Sequence, residues 1–546
     1  MSIKFASHVA QPLSYGVPST PANKFQPGRE QEMALNNSGA AVFTISPMDH
    51  LTRFLILGTS GGTFYASEEK HTYQAFEGLL ACIAQDPLKT VDLIVDVSTK
   101  GRAASNDPAL FALATVLARG SIDAKIYARK ALSSVARTGT DLLHFAEFVK
   151  GQKGWGAGTR KAFADWYLSK TPDEVAFQYV KYGQRDGWSH RDILRKAHPS
   201  TSNSRMNTLF KVMAQPNSAL TETEEALLPD VWKVARELQD LKGEPTKAAG
   251  LIAKYRMPRE AVPTELLNHK EIWEAMLPHM PPTALLRNLG KISSLGLFGK
   301  KTTNNAWTEL VTGVFSNVEL MKRARVHPVN IMKALYVYRS GKGVKGSLSW
   351  YANDSVEQAL NASFLKSFDH VVPTGKTFLL GLDVSGSMST NYLDGVPGLT
   401  CRDAAACMAL ATVKAERNTM VMGFTDKLVP LDITKDDTFD SARIKTIGLP
   451  FGNTDCSLPM LTAMTRSIPV DCFAVYTDNE TNRNSQHPSE ALRMYRNKMS
   501  LPKSKLAVVA FTATKFSIAD PKDPYMLDFV GFDTQAPKAL SEFAGL

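Results

Sequence analysis

The sequence predicts a multidomain protein in which an all-α region of stacked helical pairs precedes an α/β region with a doubly wound parallel sheet. Its 546 residues exceed what one hydrophobic core organises, so two or three domains are expected. From about residue 68 to 367 apolar residues recur at helical spacing, whereas after residue 371 short apolar runs alternate with helical stretches. This change of pattern predicts a domain boundary near residue 370.

Residues 1–36 are predicted to form a flexible N-terminal arm, because this segment is polar and rich in Pro, Ser and Asn. It contains no continuous apolar core, so no secretory signal is expected. The next apolar stretches, 41–45 and 51–65, are expected to be short extended pieces around a glycine turn.

The region 37–370 is predicted to be mainly helical. Leu110, Leu113, Ala114 and Leu117 follow the i, i+3, i+4, i+7 spacing of one buried helix face. Glycine and proline punctuate the short connections between such stripes. Many helices with short links favour a solenoid of stacked helical pairs over a single bundle.

The region 371–546 is predicted to contain a parallel sheet covered by helices. Near-continuous apolar strands that alternate with helices are typical of a sheet buried on both faces. The expected strands are 377–382, 419–424, 472–477 and 505–511. The expected helices are 401–417, 457–467 and 489–499. Ligands of such sheets bind beyond the carboxyl ends of the strands.

Five oxygen-bearing side chains are predicted to meet at that sheet edge. Asp383 ends the first apolar strand, Ser385 and Ser387 follow at alternate positions, Thr454 precedes a helix, and Asp478 ends another strand. Carboxylate and hydroxyl oxygens without nearby His or Cys suit a hard divalent cation such as Mg²⁺. The alternative is that the hydroxyls only cap helices or complete loop hydrogen bonds.

The positive charge of the chain is confined to its first region. The net charge is +10, yet residues 371–546 hold 18 Lys and Arg against 19 Asp and Glu. Residues 1–370 hold 45 against 34. Such an excess indicates a polyanionic partner for the helical region, although solvated lysines alone would also produce it.

Two segments of the helical region combine basic and aromatic residues: the first is 181–198, and the second is 321–328 together with 338–346. In the first, Ser189 is predicted to cap a helix that buries Ile193 and Leu194. Arg and Lys bind phosphates, and aromatic rings stack on unpaired bases, so these segments are candidate RNA contacts. The alternative is an ordinary solvated helix face. The side chains expected to face solvent or RNA are Lys181, Arg185, His190, Arg191, Arg195 and Lys196.

Several functional classes are disfavoured by the sequence. The longest apolar runs, such as 54–57, are too short to cross a bilayer. The five cysteines form no CxxC motif, which favours reduced thiols in the cytoplasm over disulfides or zinc. Asp478 and Glu480 are a pair of carboxylates, but no assembled nucleophile and base accompanies them, so an enzyme is not expected.

The set Asp383, Ser385, Ser387, Thr454 and Asp478 resembles the metal-ion-dependent adhesion site of von Willebrand factor A-type domains. Further motifs resemble the Ro ribonucleoprotein autoantigen family over nearly the whole chain from about residue 31. Those motifs are LTRFL (51–55), DGWSHRD (186–192), PPTALLRNLGK (281–291), HPVNI (327–331), GNTDCSLPM (452–460) and TDNET (477–481).

This resemblance implies a fold and a function. It implies that 37–370 is a TROVE domain of HEAT-like helical repeats closed into a ring, and that 371–546 is an A-type domain. It implies binding of small noncoding Y-type RNA on the outer basic surface, and of single-stranded ends of misfolded RNAs in the central hole. His190 matches a position implicated in Y RNA binding; the other five residues extend that site by local charge. The stretch 391–399 is expected to be a longer loop beside the metal site.

The family also implies a role in RNA quality control, with an exoribonuclease such as polynucleotide phosphorylase as a possible partner. Neither DNA nor a membrane is expected to bind. The alternative is a Mg²⁺-dependent protein-adhesion scaffold that grips an acidic partner through the A-type domain.

Overall fold

The computed structural model of the protein describes residues 24–59, 68–152, 154–344, 346–367, 372–390, 399–449, 452–481 and 486–546. Residues 60–62 of the predicted glycine turn and residues 391–398 of the predicted longer loop lie outside the described residues. In the part of the chain that is described, no helix is both long and apolar enough to cross a membrane.

The first region is helical, as the apolar stripes predict. Its helices are α1 (Pro47–Leu57), α2 (Glu68–Gln85), α3 (Pro87–Thr99), α4 (Asp107–Arg119), α5 (Ile122–Val135), α6 (Gly139–Gln152), α7 (Ala157–Leu168), α8 (Pro172–Lys181), α9 (His190–Ala197), α10 (Ser204–Ala214), α11 (Glu222–Leu227), α12 (Asp230–Asp240), α13 (Pro245–Tyr255), α14 (Lys270–Met276), α15 (Pro282–Ser294), α16 (Ala306–Ser316), α17 (Val318–Arg323), α18 (Pro328–Arg339) and α19 (Asp354–Lys366).

These helices stack in two layers. Helices α3, α5, α7 and α9 pack successively on one another, and α4, α6, α8 and α12 do the same beside them. The side chains between the layers form one continuous apolar core, which includes the predicted stripe Leu110, Leu113, Ala114 and Leu117. This alternation is the stacking of helical pairs expected for a solenoid.

The two ends of the solenoid meet, so the helical region closes into a ring. His327 precedes α18 near the end of the ring, and its Nε2 lies 3.2 Å from the carbonyl oxygen of Arg102, near the beginning. The same nitrogen lies 2.7 Å from the carbonyl oxygen of Phe532 in the C-terminal domain. Arg102 in turn donates to the carboxylate of Asp533, at 2.7 Å. The C-terminal domain therefore joins both ends of the ring.

The second region contains the predicted parallel sheet. Its strands are β5 (Thr377–Asp383), β6 (Asn418–Phe424), β7 (Leu428–Pro430), β8 (Cys472–Thr477), β9 (Lys505–Ala510) and β11 (Met526–Val530). They lie in the order β11-β9-β8-β5-β6-β7, and every pair is parallel except β6 with β7. The helices are α20 (Gly386–Thr390), α21 (Cys401–Ala415), α22 (Phe439–Ile444), α23 (Leu458–Thr465), α24 (Pro488–Met499) and α25 (Ala536–Gly545).

The four predicted strands and three predicted helices of this region are confirmed, but two sheet strands were missed. The missed strand β11 carries Asp528, which breaks the apolar run in the sequence. That carboxylate forms an ion pair with the buried Arg53 of α1, at 2.5 Å. An arginine from a helix of the ring therefore compensates the negative charge within the sheet. The other missed strand, β7, is a short antiparallel edge.

The prediction of a flexible arm over 1–36 is wrong for its described part. Strand β1 (Met33–Leu35) pairs with β2 (Ala41–Thr44), which pairs with β10 (Phe516–Ser517) of the C-terminal domain. Arg29 also donates to Asp520, at 2.6 Å. The polar composition of this segment suggested a flexible arm. Its partners in β10 and at Asp520 lie almost 500 residues away in the chain, so the local sequence gave no sign of them.

The prediction of an extended piece at 51–65 is also wrong, since residues 51–57 belong to α1. Ser46 accepts a hydrogen bond from the amide of Asp49, and Pro47 occupies the first helical turn. Both are helix-start signals, but the following apolar run matched a strand equally well by length. The two remaining strands, β3 (Gln184–Arg185) and β4 (Trp188–Ser189), form a small hairpin.

The buried His327 is expected to make stability depend on pH. Burial lowers the pKa of His327 to about 4 from the 6.5 of an exposed histidine. The unfolded chain therefore binds a proton that the folded chain excludes, and this contribution to stability is lost as the pH falls from 6.5 toward 4. At pH 5 the loss is about 2 kcal/mol. The difference in the free energy of unfolding between wild type and His327→Gln, measured by thermal unfolding, should be smaller at pH 5 than at pH 7. An equal difference at both pH values would contradict the prediction. Substitution of the exposed His198 by Gln is the control.

Candidate metal centre and basic surfaces

The structure brings the five predicted metal residues together at one edge of the sheet. Asp383 ends β5 and Asp478 follows β8, and these strands are parallel neighbours, so both carboxylates emerge at the same edge. Ser385 and Ser387 lie at the start of α20, and Thr454 lies in the loop before α23. All five side chains are buried.

The oxygens of this cluster form a short hydrogen-bonded array. The hydroxyl oxygens of Ser385 and Ser387 are 3.0 Å apart. The backbone amide of Ser385 donates to Asp383 Oδ1, at 3.0 Å, and the hydroxyl of Thr477 donates to Asp383 Oδ2, at 2.8 Å. Asp478 Oδ2 is buried and has no hydrogen-bond partner among the described residues.

Two charged carboxylates without a cation are electrostatically unfavourable in this buried cluster. Burial, together with the nearby charge of Asp478, raises the pKa of Asp383 to about 7. Burial also raises the pKa of Asp478. A divalent cation would neutralise both groups and satisfy Asp478 Oδ2, so the donor set fits such an ion. Among the described residues no group of three or more His, Cys, Asp or Glu is arranged to hold a metal. The serine and threonine hydroxyls would therefore have to complete the ligand set.

Glu480 lies two residues beyond Asp478 but is engaged elsewhere. Its carboxylate accepts a hydrogen bond from the side-chain amide of Asn37, at 2.6 Å, and one from the backbone amide of Ser38, at 3.2 Å. Burial and the nearby Asp478 raise the pKa of Glu480 to about 8. The contact with the N-terminal turn gave no signal in the sequence, because the two segments are over 440 residues apart.

The basic cluster predicted at 181–198 lies largely on the surface. Arg185, Arg191, Arg195 and Lys196 are exposed, whereas Lys181 is half-buried. Ser189 caps α9 as predicted, with Asp192 completing a reciprocal capping pair. The amine of Lys196 lies over the rings of Trp155 and Trp188, at 5.6 and 5.9 Å. The cap and these rings fix the orientation of the basic face of α9.

The expectation that His190 faces solvent is wrong. Its side chain is fully buried, and Nδ1 lies 2.8 Å from the hydroxyl oxygen of Tyr167. Nε2 lies so close to Gly139 that a Cβ there would approach it to 2.7 Å. Burial lowers the pKa of His190 to about 4, so the ring is neutral at pH 7. As the first residue of α9, His190 fastens the basic face of that helix to the core, and it does not present its ring to a ligand.

A second basic surface lines a cavity of 1220 Å³ at the centre of the ring. Residues from the first, middle and last helices contribute to its wall, which identifies it as the hole of the ring. Seven basic and two acidic side chains line it among the described residues. The basic ones are Arg137, Arg259, Arg287, Lys291, Arg323, Arg325 and Lys333.

Most of these hole residues were missed by the sequence. Only Arg323 and Arg325 belong to the second predicted basic segment, 321–328 with 338–346. The others come from separate helices and loops, each with an unremarkable local charge. Burial lowers the pKa of Lys181, and the positive charge of Arg287 in the hole wall lowers it further, whereas Glu260 opposes the shift. Ring closure alone brings these charges together.

A closed ring of helical pairs that carries a doubly wound domain with clustered oxygen-bearing side chains defines a class of protein: a helical-repeat ring joined to a von Willebrand factor A-type domain. The family model described as the TROVE domain matches residues 34–257 and 244–336. The model described as the Ro60 vWA domain matches residues 377–544. The chain belongs to the Ro60 family.

Relatives support this assignment over almost the full length. The chain is 41% identical over 528 residues to a Deinococcus radiodurans protein named RNA-binding protein RO60, with 96% of this chain and 98% of that protein covered. It is 34% identical over 584 residues to the Caenorhabditis elegans RNA-binding protein RO60, with 93% and 89% covered. The crystal structure of the Deinococcus radiodurans RO (RSR) protein matches with a TM-score of 0.70 and 40% identity, covering 92% of this chain and 99% of that one.

Proposed function

We propose that this protein binds RNA through the basic surfaces of its ring, without catalysing a reaction on it. The observation that carries the proposal is the central hole, whose wall holds seven basic side chains against two acidic ones among the described residues. Such a wall attracts a phosphate backbone, chiefly through release of counterions. The relatives named RNA-binding proteins support the same class of ligand.

The ligand proposed for the hole is a single-stranded end of a misfolded RNA. Half-buried rings of Tyr182 and Trp350 lie in the hole wall beside Arg287 and Lys291. Aromatic rings next to cationic groups hold single strands by stacking on unpaired bases while the cations neutralise phosphates. Bases paired in a duplex do not offer their faces in this way.

The ligand proposed for the outer surface is a small structured RNA of the Y type. Arg185, Arg191, Arg195 and Lys196 are exposed on α9 and the adjoining hairpin, where guanidinium groups can bind the phosphates of a folded RNA. His190 contributes indirectly, because its buried ring fixes the start of α9 and hence the direction of Arg191.

Replacement of Arg191, Arg195 and Lys196 by Gln should lower the recovery of small structured RNAs at least about 10-fold, since three phosphate contacts are lost. The measurement is sequencing of the RNA that co-purifies with each variant from the cells that make the protein. A matched triple variant, Lys89, Lys130 and Lys161 to Gln, removes the same charge from exposed positions of α3, α5 and α7. If both variants recovered equally less RNA, only non-specific attraction to positive charge would be supported. If neither variant recovered less RNA, the outer site would be refuted.

A second function is proposed for the A-type domain, namely Mg²⁺-dependent docking of an acidic group. The buried, unpartnered Asp478 Oδ2 supports it, because that atom needs a cation or a donor. Asp383, Ser385, Ser387, Thr454 and Asp478 would hold the ion. When bound, Mg²⁺ would supply a coordination position for a carboxylate or phosphate oxygen of a partner.

The proposed cellular role is quality control of noncoding RNA in the cytoplasm. The single-stranded end held in the hole would be passed to an exoribonuclease, with polynucleotide phosphorylase as the expected type. All five cysteines are buried free thiols, which fits a reducing compartment.

A further inference from the structure

A turn near the N-terminus lies directly on the loop that carries a metal residue. The turn is Asn36–Ala40, between β1 and β2, and the loop is 478–481, which follows β8 and begins with Asp478. The turn is part of the small sheet β1-β2-β10, so its position is fixed by the C-terminal domain itself. Lys70 of α2 in the ring also donates to the side-chain oxygen of Asn37, at 2.8 Å.

The side chain of Asn36 joins the turn to the loop. Its amide nitrogen donates to the carbonyl oxygens of Thr481, at 2.8 Å, and of Asn479, at 3.3 Å. Its oxygen accepts hydrogen bonds from the backbone amides of Ser38, at 3.2 Å, and Ala40, at 2.8 Å. Asn36 is buried, and its bonds with Thr481, Asn479 and Ala40 are made away from bulk water. The side chain of Asn36 thus binds the loop at the residues directly before and after Glu480.

The loop needs an external restraint because it holds an unfavourable conformation. Asn479 has φ +66°, in the left-handed region, and its side chain is fully buried. Neither Oδ1 nor Nδ2 of Asn479 has a hydrogen-bond partner among the described residues. Left-handed backbone and an unpaired buried amide each cost free energy, and such features persist only where surrounding contacts over-determine them.

One hydrogen bond connects the backbone of the restrained loop to the side chain of Asp478. The backbone amide of Glu480 donates to Asp478 Oδ1, at 3.0 Å. This bond engages Asp478 Oδ1 and leaves Oδ2 buried without a hydrogen-bond partner among the described residues. If the backbone of the loop shifted, the Asp478 carboxylate would rotate with it and the oxygen cluster would lose its geometry.

We propose that Asn36 is a positioning residue for the metal centre, which it serves by clamping the 478–481 loop that orients Asp478. This inference rests on the proposed divalent-cation site, although the clamping itself does not require a bound ion. It extends the metal centre to a segment outside the A-type domain, in the N-terminal 40 residues of the chain.

The test compares Asn36→Ala with the matched control Asn418→Ala in the full-length protein. Asn418 also donates its side-chain amide to a backbone carbonyl, that of Gly375, but at the opposite end of the sheet. In Asn36→Ala the Kd for MgCl₂, measured by calorimetric titration, should rise about 10-fold or more, as for other groups that orient metal ligands. In EDTA the amides of Asn479 and Glu480 should exchange hydrogen faster than in wild type. Asn418→Ala should change neither quantity.

A general loss of stability would lower the unfolding temperature of Asn36→Ala equally in EDTA and in MgCl₂, whereas positioning reduces the increment that MgCl₂ adds. Ser38→Ala removes one hydrogen bond to Thr481 and should give a smaller change of the same sign, which keeps the test valid if Asn36→Ala does not fold. Unchanged Mg²⁺ affinity and exchange rates in Asn36→Ala would overturn the inference. If wild type bound no Mg²⁺, the metal site would be refuted, and the exchange rates would still decide whether Asn36 clamps the loop.

Discussion

Replacement of Arg259, Arg287 and Arg323 together by Gln is expected to weaken binding of a single-stranded oligouridylate about 100-fold. These three side chains are exposed in the wall of the hole and come from different parts of the ring. Each lost phosphate contact is expected to cost about 1 kcal/mol, the net contribution of a typical hydrogen bond, so three lost contacts give about 3 kcal/mol. The Kd would be measured by fluorescence anisotropy with a labelled oligonucleotide too short to wrap the outer surface.

Salt dependence identifies the cause of this loss. Each phosphate neutralised on a single strand contributes about 0.7 to the slope of log K against log salt, so the triple variant should show a slope about 2 units shallower. The matched control is Arg205, Arg236 and Arg417 to Gln, three exposed arginines that do not line the hole. Equal weakening in this control would mean that total charge governs binding, and the hole would then have no special role.

Mg²⁺ is expected to stabilise the wild-type protein and to lose that effect in Asp478→Asn. At 100 times its Kd a ligand that binds only the folded state adds about 3 kcal/mol to the free energy of unfolding. In EDTA the same substitution should not lower the unfolding temperature, because it removes one of two buried carboxylates whose charges oppose each other. Thermal unfolding in EDTA and in MgCl₂ measures both effects.

The control for this prediction is Asp432→Asn, which makes the same chemical change at an exposed position. It should retain the full increment from MgCl₂. Any change that MgCl₂ causes in single-stranded RNA binding in the hole should be the same for all three proteins, because Asp478 and Asp432 do not line the hole. An Asp478→Asn protein that kept the Mg²⁺ increment would refute the ligand set.

The candidate site was predictable to different extents in its two parts. The meeting of Asp383 and Asp478 at one sheet edge could be predicted, because the carboxyl ends of parallel strands lie at the same edge and each residue directly follows an apolar run. The burial of His190 could not be predicted, since a histidine at the start of a helix is expected to be polar and exposed. Only the packing of Tyr167 and Gly139 around its ring shows that it is buried.

The sequence by itself determined the features that depend on near neighbours in the chain. The helical stripe from Leu110 to Leu117, the capped start of α9 and the four main strands all follow from local periodicity and capping. The tertiary structure alone decided the features that depend on distant partners. Closure of the ring at His327 gathers scattered arginines into one basic hole, and the contact of Asn36 with Thr481 brings the N-terminal segment to the 478–481 loop. Long-range contacts of this kind leave no periodic trace in the sequence, because each is made by one side chain whose partner lies hundreds of residues away.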